Sequence, residues 1–189
     1  PPFRLFVAAT DADSGRLRVF HGRELSVDAL LASSCLPTVF HAPRIDGRTY
    51  WDGGYAGNPA VFPLLRAGRA RDTLLVLLSP LQWPAMPANA SAHELRARVA
   101  EIAFTAAFRR EMQALAHARA GRASRPRAAW RRWLLGEPPE PRFHLIEAGP
   151  ALQHVAAETR VAVSARFFEE LHDLGRATAA RWLARHADA

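Results

Sequence analysis

The sequence predicts an α/β protein with a mostly parallel sheet. Leu74-Leu75-Val76-Leu77-Leu78 is uniformly apolar and bounded by Asp72 and Pro80, the pattern of a strand buried on both faces of a parallel sheet. Strand-like and helix-like runs alternate along the chain, which is the α/β pattern. The 189 residues are 49% hydrophobic and 23% charged, a globular composition with enough chain for a sizeable core.

The elements follow in order. Residues 3–9 are apolar and rich in strand formers. Asp11-Ala12-Asp13-Ser14-Gly15 is turn chemistry, and Leu17 and Val19 then alternate with Arg16 and Arg18, so residues 3–20 read as two strands and a tight loop. Asp11 and Asp13 suggest a calcium loop, but the Glu that closes an EF-hand loop at its twelfth position is missing, which leaves a plain turn. Ser26 caps a helix over residues 27–33, and Pro37 prevents its continuation. Residues 40–50 form two extended pieces around the turn Asp46-Gly47. Residues 51–59 hold three glycines and a proline and form a loop. A short helix then starts at Asn58-Pro59 or at Pro63 and runs to Gly68.

After the apolar strand, residues 79–90 are Pro-rich and irregular. Ser91 and Glu94 make a capping box. Behind it Leu95, Val99, Ile102, Ala106, Phe108, Met112 and Leu115 recur at helical spacing, predicting an amphipathic helix over residues 92–120 with that stripe inward. Residues 121–141 look like a loop, residues 143–146 like a strand, and Ser164 caps a last helix that ends near His186.

Charge is uneven. The net +7 comes from 25 basic residues, all Arg, against 18 acids, and residues 64–135 hold 13 Arg against 4 acids. An all-Arg, Ala-rich chain points to compositional bias, so the basic balance is weak support for nucleic-acid binding, and no nucleic acid is expected as a partner. Within the basic middle, Arg119, Arg122, Arg125, Arg127, Trp130, Arg131, Arg132 and Trp133 cluster in 15 residues. Arg pairs with phosphates and Trp prefers the lipid interface, so this cluster is a candidate contact for an anionic membrane surface. No apolar run approaches the ~18 residues of a membrane span, and the first residues lack a charged-then-apolar leader pattern. A peripheral-membrane or cytoplasmic location is therefore favoured. The single cysteine, Cys35, excludes an intrachain disulfide framework, and no His, Asp or Glu set has metal-ligand spacing.

Asp52-Gly53-Gly54 is the richest piece. Two glycines permit close backbone approaches that hold a carboxylate on a tight turn, with Trp51 and Tyr55 as flanking aromatics. Such a carboxylate suits a general base toward a hydroxyl nucleophile. Read with Ala32-Ser33-Ser34-Cys35-Leu36-Pro37, Ile45-Asp46-Gly47, Tyr50-Trp51, Asn58-Pro59 and Pro63-Leu64, and with Val7-Ala8-Ala9-Thr10-Asp11 before them, the stretch resembles the patatin-like phospholipases. The resemblance covers about residues 3–80 and is looser over the long helix and the last one.

That resemblance implies a partial patatin-like α/β/α sandwich and a lipid acyl hydrolase working through a Ser–Asp dyad without cofactor or metal. Asp52 would be the dyad's acid residue, with Gly53, Gly54 and Asn58 as its supporting loop. The family's G-x-S-x-G elbow and Gly-rich oxyanion loop do not occur in the 189 residues. The chain is therefore expected to be the C-terminal part of a single domain: a motif-bearing core over residues 1–80, the long helix over 91–120, the Arg/Trp/Pro-rich excursion over 121–141, and a strand and helix over 142–189. On that expectation the chain alone is inactive. The alternative is a non-catalytic remnant that binds anionic lipid or a protein partner through its Arg-rich middle. Ser33 and Ser34 sit at a predicted helix end, not on an elbow, and Cys35 lies among apolar residues, so none reads as a substitute nucleophile. His144 or His154 after Asp52 would satisfy the chain order of a Ser-acid-His triad, but nothing local marks either.

Overall fold

The computed structural model describes residues 3–67, 72–123, 141–148, 152 and 164–186. They form two units: residues 1–71 with 98–141, and residues 72–97 with 142–189.

The first unit is built on an antiparallel sheet of order β2-β1-β4-β3, with β1 Phe6–Asp11, β2 Leu17–His21, β3 Arg44–Ile45 and β4 Arg48–Asp52. The mostly parallel sheet expected from the sequence is thus corrected: the larger sheet is antiparallel. Its cause is local, because both hairpins close through short turns. In the first, the Asp11 carboxylate accepts the Asp13 and Ser14 N–H groups at 3.1 and 2.9 Å. In the second, Asp46 and Gly47 both take positive φ, 51° and 77°. That conformation matches the twist of an antiparallel pair. β1 then pairs with β4, Ala9 opposite Asp52.

One face of this sheet carries the core. Val7, Ala9, Phe20 and Tyr50 pack with Ala29 and Ala32 of α1 (Val27–Ser33). Ser26 caps α1 as expected, its Oγ accepting the Ala29 N–H at 3.1 Å. Phe20, 2% exposed, meets the Tyr50 ring edge-on at 5.4 Å. α2 (Phe62–Ala67) follows β4, starting three residues after Pro59.

Asp11 also meets Arg48 across the sheet at 2.8 Å. The Arg48 guanidinium, with the Ser14 N–H and hydroxyl, lowers the Asp11 carboxyl to about 2. A carboxyl lowered in the folded state favours folding above its unfolded value of about 3.9, and that contribution is lost as pH falls toward 2. Arg48→Met should therefore move the acid-unfolding midpoint to higher pH, followed by circular dichroism. An unchanged midpoint would show that Ser14 alone sets the Asp11 titration.

The long α3, Ala92–Ala123, runs through residues of both units. Its capping box forms as expected: Ser91 Oγ accepts the Glu94 N–H at 3.2 Å, and a Glu94 oxygen accepts the Ser91 N–H at 2.7 Å. The helix continues three residues beyond the predicted end. The inward stripe is also corrected: Leu95, Val99 and Ile102 are exposed, while Thr105 and Phe108 are buried. Met112 and Leu115 are half-buried, so the inward face overlaps the predicted one only in its second half.

In the second unit β5 (Asp72–Leu77) and β6 (Arg142–Glu147) pair in parallel, so a parallel pairing exists, but only for two described strands. Leu75 and Leu77 are buried, whereas Leu74, Val76 and Leu78 are 49%, 59% and 70% exposed. The expectation of a strand buried on both faces does not hold among the described residues. α4 (Ala165–His186) is capped by Ser164, whose Oγ accepts the Phe167 N–H at 3.2 Å. Among the described residues no helix is long and apolar enough to cross a membrane.

Candidate active site

Asp52 is the last residue of β4, and its backbone is pinned on both sides. Its N–H donates to the Cys35 carbonyl at 2.9 Å, and the Thr10 hydroxyl donates to its carbonyl at 2.8 Å. The chain then turns into a single 3-10 turn, Gly53–Tyr55, where the Asp52 side chain serves as N-cap. Oδ1 accepts the Gly54 N–H at 2.7 Å. Among the described residues no donor reaches Oδ2. The turn closes as the Ala56 and Gly57 N–H groups donate to the Gly53 carbonyl at 3.1 and 2.9 Å.

Both glycines sit at close approaches, Gly53 to backbone and Gly54 to a side chain. A Cβ on Gly53 would fall onto the Ala8 backbone carbonyl of β1, and one on Gly54 would clash with the edge of the Phe104 ring of α3. The aromatics expected to flank the carboxylate do converge: Trp51 meets Tyr55 edge-on at 6.4 Å, and Tyr55 meets Phe104 edge-on at 4.8 Å. Half-burial of Asp52 raises its carboxyl above the ordinary value, opposed by the Gly54 N–H. Cys35 is buried, and its thiol is raised first by burial and then by the Asp52 charge. A raised thiol is a poor nucleophile at neutral pH.

The arrangement suits proton transfer. One carboxylate oxygen is fixed by a backbone donor, the other accepts no hydrogen bond from the described residues, and the surroundings favour the protonated form. Asn58 follows directly on Gly57 at the end of this turn. Ser33 and Ser34 donate their hydroxyls to helix carbonyls, Ser33 to Leu30 at 2.8 Å and Ser34 to Leu30 at 3.3 Å. Asp11, weighed as a calcium ligand, is taken up by its turn and by Arg48. Among the described residues no group of His, Cys, Asp and Glu is placed to hold a metal ion. His144 lies on β6 with Nε2 2.9 Å from Asp72, a carboxylate that Arg142 also holds through Nε at 2.8 Å. Its carboxylate partner is therefore Asp72. His154 and Arg125, Arg127, Trp130, Arg131, Arg132 and Trp133 lie outside the described residues, while Arg119 and Arg122 fall on α3.

A groove of about 920 Å³ runs past Phe3, Phe6, Val19, Phe62 and Arg66 and is not lined by any residue of the Asp52 turn. Phe6 and Val19 belong to the sheet face opposite Val7, Ala9 and Phe20, because side chains alternate along a strand. This groove is thus separate from the Asp52 turn.

Phe104 is the site residue that the sequence reading missed. Its signal was present: it precedes Phe108 by one helical turn, on the row that the structure buries.

Asp52 is thus a strand-end carboxylate held on a two-glycine turn. Residues 3–65 match the Patatin-like phospholipase family, which supports a patatin-like assignment for this segment. That family acts on lipid substrates as acyl hydrolases. No curated protein matches the chain.

Proposed function

We propose that the protein is a lipid acyl hydrolase in which Asp52 is the base of a Ser–Asp dyad. The observation that carries this reading is the Asp52 turn, with Oδ1 fixed by Gly54 and no hydrogen bond to Oδ2 from the described residues, inside the patatin-like segment. In the first step Oδ2 takes the proton of a serine hydroxyl while that oxygen bonds to the ester carbonyl carbon. The alcohol then leaves with the proton and an acyl-serine remains. Water attacks next, Asp52 again accepts the proton, and the acid is released as serine regains its hydrogen. A carboxyl raised by burial is the better base for both steps.

No G-x-S-x-G occurs in the 189 residues, so the reading takes the serine and its oxyanion donors from protein outside them. Oxyanion donors supply about 2.7–4 kcal/mol each. The 189-residue chain alone is accordingly expected to hydrolyse a short p-nitrophenyl ester no faster than buffer. Turnover that disappears in Asp52→Asn would reveal a nucleophile within the chain and overturn that expectation.

The decisive test is fluorophosphonate labelling of the protein from its natural source, with intact mass. A mass well above 20.9 kDa with one adduct on a serine outside residues 1–189 supports the dyad. A 20.9 kDa protein with no adduct favours the binding reading through the Arg-rich middle.

A further inference from the structure

We infer that α3 braces the Asp52 turn and that Phe104 is a positioning residue for Asp52. The inference rests on the reading of Asp52 as a base and extends it to a helix beyond residue 65, where the family match ends. Phe104, Phe108 and Glu111 are spaced by four and three residues, so they share one face of α3. Phe104 and Glu111 each meet the segment between Asp52 and α2. The Phe104 ring occupies the space against Gly54 and stands edge-on to Tyr55 at 4.8 Å. Phe108 is 4% exposed. The Glu111 carboxylate accepts two backbone N–H groups at the other end of the segment, that of Val61 at 3.1 Å and that of Phe62.

Residues 54 and 62 are therefore held by one rigid helix, at points about 10 Å apart along its axis by the 1.5 Å rise per residue. The consequence reaches Asp52 through a single bond. The Gly54 N–H is the donor that fixes Oδ1, and the Phe104 ring stops the Gly54 peptide from backing away from it. Remove the ring, and Gly54 gains room to retreat. Oδ1 then loses its fixed donor and the open oxygen loses its aim. Leucine fills most of the same space and should preserve the arrangement.

The test uses amide hydrogen exchange on the full-length protein. In Phe104→Ala the Gly54 amide should exchange about tenfold faster or more, while the β1 and α1 amides keep their protection, a local opening distinct from global unfolding. Phe104→Leu should restore it. Gly54 protection unchanged in Phe104→Ala, or lost in step with β1 and α1, overturns the proposal. If Phe104→Ala does not fold, Glu111→Gln provides the second variant: the Phe62 amide should exchange faster while β1 stays protected, and an unaffected Phe62 amide overturns the brace. In the full-length protein, Phe104→Ala should lower kcat about tenfold or more with KM little changed, since misplacement by about 1 Å costs up to about a hundredfold. A wild-type protein with no esterase activity would defeat the hydrolase reading but leave the exchange result to decide the brace.

Discussion

If Asp52 is the base proposed above, Asp52→Asn in the full-length protein is expected to lower kcat for ester hydrolysis by about 10²–10⁴, the range for a lost general base. The substitution isolates the proton transfer. The amide oxygen can still accept the Gly54 N–H, and Cys35 and Thr10 still hold the backbone, so only the basic oxygen is removed. The same variant should be more stable than wild type at pH 7. Burial raises the Asp52 carboxyl in the folded state, so ionising it opposes folding at any pH above the unfolded value of about 3.9. Below that pH both proteins carry a neutral side chain, and the difference should close. Urea midpoints at pH 7 and at about pH 3.5 measure both effects. An equal gap at the two pH values would remove burial of the charge as the cause. Activity within a few-fold of wild type would remove Asp52 from the chemistry.

The largest loss of stability is expected for Gly53→Ala, about 3 kcal/mol, at the upper end of the usual cost of overpacking. The new methyl meets the Ala8 carbonyl, a backbone group in β1, one of the two inner strands of the sheet. Neither side can yield by rotating a side chain, so β1 or β4 must move. Gly54→Ala faces the Phe104 ring instead, which can turn, and should cost less. Thermal unfolding separates them, with about 2–4 °C per kcal/mol expected for a chain of this size. A Gly54→Ala variant less stable than Gly53→Ala would show that the ring, not the strand, is the harder wall.

Local chemistry was legible in the sequence and long-range pairing was not. Ser26, Ser91 with Glu94, and Ser164 each cap as read, because a cap involves residues within four of one another. The Asp46-Gly47 turn was legible for the same reason. By contrast, β1 meets β4 about forty residues later, and nothing inside either strand states its partner's direction. The apolar run of β5 suggested two covered faces, yet strand composition cannot say what lies on each. On α3, two overlapping helical rows were available, and tertiary contact chose the one through Phe104 and Phe108. Asp52 was legible because its two glycines advertise a close approach. What they approach, Ala8 and Phe104, was not.

The meeting of Gly54 with Phe104 also constrains how this protein can vary over evolutionary time. Fifty positions apart in the chain, the two residues share one volume, and almost all of it is assigned to the ring. A side chain can enter at position 54 only as the ring at position 104 turns aside or shrinks, so a large residue at 54 is expected only with a smaller one at 104. The two positions should therefore drift together, tying a helix that lies beyond the matched segment to the history of the loop within it.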